Sequence, residues 1–386
     1  MFGQSNDYWK EKKAIYTSSE IYQQPSTWKK TYLQVKEKKN EIKAFLDQIL
    51  SKEDYDIIFT GAGTSEYVGN TVVHYLNEKL QYKVKSYGTT DIVLEPGKYL
   101  SEKKPTLLIS FGRSGDSPES VGAVHLANEV CHNIYHLFIT CNKDGALAKE
   151  GAKNNAYSLV LTPETLDKSF AMTSSYTNMC LASILCLDID HVEEYEPLVN
   201  EMAESAQTML DTQWEDLKKI VDEFHFKKIV YLGSNSLKGV SQESQLKMLE
   251  LTQGQVTTMF DTPLGFRHGP KSVIDDETLV VLYLSDNAYT RKYEYDLAKE
   301  ISVQKKNNKL MLIGNSDMEE IGNLADYVLK VKLEQKMDNV LLGLVYILAA
   351  QQLAMFKSIQ CSIWPDDPCP SGEVNRVVTG VTLYKI

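Results

Sequence analysis

The segment SFGRSGDSPES, residues 110–120, joins a predicted strand to a predicted helix and decides how the chain is interpreted. An apolar run, 106–109, leads into it, and a helical pattern from about Glu119 to Val130 follows it. A turn of small residues between a strand and a helix aims unpaired backbone N–H groups and hydroxyls at one point, where the helix dipole adds positive charge. Such a turn can bind a phosphate; the alternative is an ordinary helix capped by a serine.

The composition of this segment favours the phosphate interpretation. It combines several serines with Arg113 and two glycines within a very short span. The lysine-bearing loop that is typical of nucleotide-binding proteins is absent from it. We therefore expect the phosphate to belong to a small metabolite.

Strand and helix patterns alternate along the first half of the chain. A second glycine-rich turn, TGAGTSE at 60–66, follows the first predicted strand and is by itself a weak signal. Alternating strands and helices predict a parallel sheet covered by helices on both faces, which is an α/β fold in three layers. The predicted strands are 55–59, 83–87, 106–109, 135–140 and 156–161.

The pattern then starts again. The segment KIVYLGSNS, 228–236, matches DIIFTGAGT, 56–64, and 326–331 matches 155–160 at nearly the same separation. A repeat of this length indicates two tandem α/β domains rather than a solenoid. We expect an N-terminal arm at 1–35, a first domain at 36–195, a second domain at 205–360, and a tail at 361–386 that folds over the active site.

The two copies differ in the groups they offer for chemistry. The second has LSDNAYT, 284–290, in place of the Ser-Gly-Asp-Ser core, so the phosphate site is predicted in the first copy alone. The second copy instead offers Glu243, Lys247 and Glu250 on one helical face, which an exposed row of ion pairs would also explain. With His268, in a loop between glycines, they supply the groups that proton transfer on a sugar requires.

Composition excludes several classes of function. The 386 residues are 43% hydrophobic and carry a net charge of −11, which argues against a nucleic-acid or anionic-membrane surface. The longest apolar runs, 179–187 and 340–350, are too short to span a bilayer. Six cysteines without a C-x-x-C pair indicate reduced thiols in a cytoplasmic protein, and no metal or cofactor is expected.

The motifs resemble a known family. The chain is similar to double sugar isomerase (SIS) domain proteins, and most of all to bacterial tagatose-6-phosphate ketose/aldose isomerases, regarded as galactosamine-6-phosphate deaminase/isomerases. It resembles more distantly the isomerase half of glucosamine-6-phosphate synthase. The resemblance covers nearly the whole chain, and its most specific pieces are EIYQQP at 20–25, GAGTS at 61–65, SGDS at 114–117 and FRHGP at 266–270.

The resemblance implies a role for each site residue. Glu250 matches the base that moves a proton between C2 and C1, and His268 matches a ring-opening histidine that comes from the adjacent subunit. Lys247 matches a lysine that lies near the sugar in the family, and Arg376 stands where the synthase tail has a lysine. The residues implied to hold the phosphate or sugar are Gly63, Thr64, Ser65, Gly112, Arg113, Ser114, Ser117 and Thr173.

The expected function is therefore a sugar-phosphate isomerase and deaminase, acting as a homodimer or homotetramer on galactosamine 6-phosphate. Glutamine-dependent synthesis is disfavoured because residue 2 is Phe2, not a nucleophilic cysteine. Two alternatives remain: a fructosamine-type sugar-amino-acid 6-phosphate deglycase, and a sugar-phosphate sensor without catalytic activity.

Overall fold

The computed structural model describes residues 1–153, 155–304, 306–315, 318–378 and 380–384. Two compact units divide the chain. The first-copy unit comprises Ser26–Asp167, Met172–Val199 and the tail from Ser371, whereas the second-copy unit comprises Met1–Pro25, Lys168–Ala171 and Asn200–Pro370.

Four helices precede the first strand: α1 Asn6–Glu11, α2 Ile15–Tyr22, α3 Gln24–Glu37 and α4 Lys39–Leu50. The sequence predicts one helix from about 27 to 50, but Lys38 leaves the helical region, with φ −92° and ψ 9°, and separates α3 from α4. No glycine or proline marks this break in the sequence, which is why the pattern does not reveal it.

The first copy forms one parallel sheet with helices around it. Its strands follow the order β2-β1-β3-β4-β5, and every residue of β1 and β3 is buried. The elements are β1 Asp56–Gly61, α5 Thr64–Lys79, β2 Val84–Gly88, α6 Thr89–Leu94, α7 Pro96–Tyr99, β3 Thr106–Gly112, α8 Pro118–Val130, β4 Ile134–Thr140, α9 Ala146–Glu150, β5 Ala156–Val160 and α10 Ser174–Leu187.

The second copy repeats this plan. Its sheet order is β7-β6-β8-β9-β10, again wholly parallel. The elements are α11 Tyr195–Thr212, α12 Trp214–Glu223, β6 Lys228–Leu232, α13 Ser236–Leu251, β7 Thr257–Asp261, α14 Pro263–Phe266, β8 Thr278–Tyr283, α15 Ala288–Val303, β9 Lys309–Gly314, α16 Glu319–Gly322, β10 Tyr327–Lys330 and α17 Asn339–Gln360.

The first turn of each copy has the same backbone shape. Gly63 has φ 55° and ψ −127° before α5, and Asn235 has φ 54° and ψ −122° before α13. Two residues earlier, each turn needs a glycine, because a Cβ on Gly61 would lie 2.4 Å from the Ser65 carbonyl carbon and one on Gly233 would lie 2.3 Å from the Leu237 oxygen. The duplication and the α/β fold predicted from the sequence are confirmed.

One helix, α17, is longer than the apolar run from which the sequence predicts it. It has 22 residues and is long and apolar enough to cross a membrane, but 94% of its most hydrophobic window is buried inside the protein. This burial is typical of the core helix of a globular unit. The helix is apolar on every side because the protein packs around all of it.

We predict that Gly61→Ala and Gly233→Ala each lower the free energy of unfolding by about 1–3 kcal/mol, since the added methyl group meets backbone atoms that cannot move aside. Urea unfolding followed by circular dichroism measures the change. Gly97→Ala in α7 is the control, because nothing lies within 4 Å of its Cβ position. Equal stability of all three variants would contradict the argument.

Candidate functional site

The candidate anion site lies at the carboxyl ends of β1 and β3. These strands are neighbours in the sheet, with Thr60 opposite Ser110. The other neighbour of β1 is β2, and the other neighbour of β3 is β4, so the chain order reverses between β1 and β3. Parallel sheets bind ligands where the strand order reverses in this way. The structure thus brings the Gly63, Thr64 and Ser65 turn and the loop 112–117 to the same edge of one sheet.

The loop 112–117 does not end in an ordinary serine cap. Ser117 is the residue before α8, with φ −59° and ψ 130°, yet its side chain makes no capping hydrogen bond. Pro118 occupies the first turn, and Gly115 has φ 70°, which a side chain would strain. The ordinary-cap alternative left open by the sequence is therefore wrong.

The turn between β4 and α9 holds this loop in place. Asn142 Nδ2 donates to the Ser114 carbonyl at 3.1 Å, and the Leu147 N–H donates to the Gly115 carbonyl at 3.1 Å. The Ala146 N–H donates to Asp116 Oδ1 at 2.8 Å. Sequence reasoning missed Asn142 and Asp116 as loop anchors, although the NKDG turn at 142–145 was a signal.

Arg113 and Arg376 lie close together in the first-copy unit. Arg113 is only 6% exposed, and its Nη2 donates to the Arg376 carbonyl at 2.8 Å. The Arg376 guanidinium in turn donates to the carbonyl of Asp167. These bonds join the candidate loop to the tail through Arg113, and the binding of a substrate by either guanidinium stays a prediction.

Thr173 lies at a helix start that already has an anion. The buried Asp167 carboxylate accepts the N–H groups of Thr173, Ser174 and Ser175 at 2.8, 3.0 and 2.9 Å. Thr173 Oγ1 also bonds this carboxylate, at 3.2 Å. Asp167 thus compensates the positive end of α10, and the predicted contact of Thr173 with a sugar stays a prediction.

Three charged residues of α13, Glu243, Lys247 and Glu250, form an ion row of which the first two are buried. Glu243 and Lys247 side chains are 0% exposed, and Lys247 Nζ lies 3.3 Å from Glu243 Oε1 and 2.6 Å from Glu250 Oε2. The exposed-row interpretation is wrong. Burial by itself would lower the pKa of Lys247, but the two carboxylates outweigh it and raise that pKa above its ordinary value.

Glu250 is the end of this row that solvent can reach. Its side chain is 25% exposed, in contrast to its two partners. Two carboxylates and one ammonium leave the row with a net negative charge. A partly exposed carboxylate held by a buried lysine has the position that a proton carrier needs.

His268 follows α14 in an exposed loop of the second-copy unit. Its N–H donates to the Gly265 carbonyl at 2.9 Å, and Gly269 beside it has φ 125°. The structure therefore places His268, Lys247 and Glu250 in one unit, and the phosphate-loop residues with Thr173 and Arg376 in the other.

Comparisons with known proteins agree with this picture. The family model of the SIS domain matches residues 49–186 and again 224–356. D-galactosamine-6-phosphate deaminase AgaS of Shewanella sp. (strain ANA-3) is 42% identical over 96% of this chain and 92% of its own length. AgaS of Escherichia coli is 38% identical over 96% of this chain and 95% of its own length.

Solved structures give the same result. Tagatose-6-phosphate ketose/aldose isomerase from Escherichia coli has a TM-score of 0.88 at 35% identity, with 96% of each chain covered. The C-terminal domain of glucosamine-fructose-6-phosphate aminotransferase from Francisella tularensis has a TM-score of 0.74 at 16% identity, covering 89% of this chain and 96% of its own, and supports the fold alone. The resemblance inferred from the motifs is confirmed.

We predict that Lys247→Met lowers the free energy of unfolding by about 3–5 kcal/mol, because it removes the buried ammonium that lies between the Glu243 and Glu250 carboxylates. Urea titration measures the loss. Lys218→Met is the matched control, since its pair with Asp222 is also spaced by four residues but is exposed, and it should cost at most about 1 kcal/mol. Similar losses in both variants would show that the row is not an ion network of the core.

Proposed function

The chain belongs to the SIS domain family, and we propose that it is an enzyme that converts galactosamine 6-phosphate into tagatose 6-phosphate and ammonia. The observation that carries this proposal is Glu250, a partly exposed carboxylate fixed 2.6 Å from a fully buried ammonium. Support comes from the named deaminases that match over 96% of the chain.

The proposed phosphate-binding site consists of residues of the first-copy unit. The turn of Gly63, Thr64 and Ser65 and the loop of Gly112, Ser114 and Ser117 would supply N–H groups and hydroxyls to the 6-phosphate. Arg113 adds a charge-assisted donor. A phosphate held at C6 fixes C1 and C2 without taking part in the chemistry, which lowers the entropic cost of aligning them.

The proposed chemistry is a proton shuttle followed by hydrolysis. His268 moves a proton from the anomeric hydroxyl to the ring oxygen and opens the ring. Glu250 removes the C2 proton and returns it to C1 through an enolamine, while Lys247 or Arg376 stabilises the negative charge that develops on oxygen. The product is a C2 imine, which takes up water and releases ammonia to leave the ketose phosphate.

We further propose that the enzyme works as a homodimer or homotetramer in the cytoplasm. In this assembly His268 would act on the substrate of a neighbouring subunit. All six cysteines are free thiols, which agrees with a reducing compartment. The tail residue Arg376, bonded to the carbonyl of Asp167, would bring a cation to the sugar.

We predict that Glu250→Gln lowers kcat for ammonia release about 10²–10⁴-fold with little change in KM, because the amide keeps the shape and loses the proton acceptor. Ammonia and ketose are scored together across a panel of hexosamine, fructosamine-type and ketohexose 6-phosphates. Glu215→Gln, at an exposed glutamate of α12, is the control. Binding without turnover in the wild type would indicate a sensor, and turnover of the fructosamine compound alone would indicate a deglycase.

We predict that Arg113→Gln raises KM about 10-fold or more and leaves kcat nearly unchanged, because a charge-assisted bond to a remote phosphate stabilises substrate and transition state alike. Initial rates with galactosamine 6-phosphate measure both constants. Galactosamine without phosphate is the control substrate, on which the variant and the wild type should be equally slow. A fall in kcat at constant KM would place Arg113 at the reacting carbons instead.

A further inference from the structure

The second copy has a counterpart of the carboxyl-end edge of the sheet at which the first copy is proposed to bind phosphate. The carboxyl ends of β6 and β8 are neighbours, and they lead into the turn 233–237 and the loop 284–290. The turn repeats the backbone of the first copy, with Asn235 in place of Gly63. The second copy therefore keeps the scaffold of an anion site.

A side chain of the protein fills this edge. Glu294, on α15, is 0% exposed. Its Oε1 accepts the Ser234 hydroxyl at 3.0 Å, and its Oε2 accepts the Ser285 N–H at 2.9 Å. One donor thus comes from the turn after β6 and the other from the loop after β8, which are the two sources that a bound phosphate would use.

A cation completes the surroundings of this carboxylate. Arg291 Nε lies 3.6 Å from Glu294 Oε2 and donates to the Ser285 carbonyl at 2.8 Å. Asp286 faces the same region, and the Tyr346 hydroxyl of α17 donates to the Leu284 carbonyl at 3.4 Å. A hydroxyl, an N–H group and a guanidinium around one buried carboxyl group are the kinds of donor that an anion site uses.

Other polar groups of the loop 284–290 form hydrogen bonds within the loop or with neighbouring side chains. Ser285 Oγ accepts from Asn339 Nδ2 at 2.8 Å and from the Asn287 N–H at 3.0 Å. Asn315 Nδ2 donates to Asp286 at 2.9 Å. In the first copy the corresponding helix α8 has the buried, apolar Val124 at the position that Glu294 occupies in α15.

We propose that Glu294 is a built-in ligand that closes a second anion site, so that its removal opens this edge to inorganic phosphate or a sugar phosphate. The wild-type chain then has one anion site available, in its first copy. The number of anion sites in the wild type rests on the phosphate site proposed above. The binding of an anion beside β6 and β8 after removal of Glu294 does not rest on it.

Burial disfavours the charged form of Glu294. Burial raises the pKa of Glu294 to about 7, although the Ser285 N–H, Arg291 and Ser234 all act to lower it. The donors therefore offset only part of the desolvation of the carboxylate.

The test compares Glu294→Ala with Leu297→Ala, a truncation at a fully buried apolar residue of the same helix. Both remove core volume, but only the first exposes polar donors. Equilibrium dialysis with radiolabelled inorganic phosphate gives the number of anions bound per chain. The thermal midpoint at increasing phosphate gives a second measure, which works even when a variant is weakly folded, because a ligand that binds the native state raises its stability.

We expect Glu294→Ala to bind one phosphate more per chain than the wild type, and its midpoint to rise with phosphate more steeply than that of Leu297→Ala. Equal numbers of bound phosphates, or equal slopes in the two variants, would overturn the inference. A wild type that binds no phosphate while Glu294→Ala binds one would support the inference and refute the phosphate site of the first copy. A wild type that binds two would refute the inference.

Discussion

The reversal of strand order at the β1 and β3 pair is the constraint on which the rest of the first-copy unit depends. Consecutive parallel strands are joined by right-handed helical crossovers. Where two crossovers leave neighbouring strands in opposite directions, a crevice opens at the carboxyl ends of those strands. The loops 61–65 and 112–117 must then meet at this crevice. Their glycines follow from the same constraint, because Gly61 packs against the start of α5 with no space for a Cβ.

Duplication gave the chain two such crevices, and side chains made them different. The first has serines and Arg113 in the loop 112–117, which the β4–α9 turn anchors through hydrogen bonds. The second has Leu237 where the first has Ser65, and it places Glu294 among its donors. A carboxylate offers oxygen acceptors as a phosphate does, so a single side chain of α15 meets donors from both the turn and the loop.

The second copy instead has, on α13, the groups that are proposed to move the proton. Its row of Glu243, Lys247 and Glu250 is costly to bury, and such rows are weak evidence for stability. What the row does provide is a fixed carboxylate: Lys247, immobile between two partners, holds Glu250 where solvent reaches it. A group that must carry a proton gains from this fixed position, because little reorganisation is needed when the reaction begins.

The sequence by itself determined the alternation of strands and helices, the duplication and the phosphate-type loop, because each of these depends on local periodicity and on glycines at fixed points. The resemblance to a known family also singled out Glu250, Lys247 and His268 as candidate site residues, and their roles stay predictions. The sequence did not reveal the break at Lys38, the anchoring by Asn142, the cap by Asp167 or the carboxylate of Glu294. Only the tertiary structure decided these, and it also decided that the ion row is buried, since burial and long-range hydrogen bonds depend on which segments pack together rather than on the order of residues along the chain.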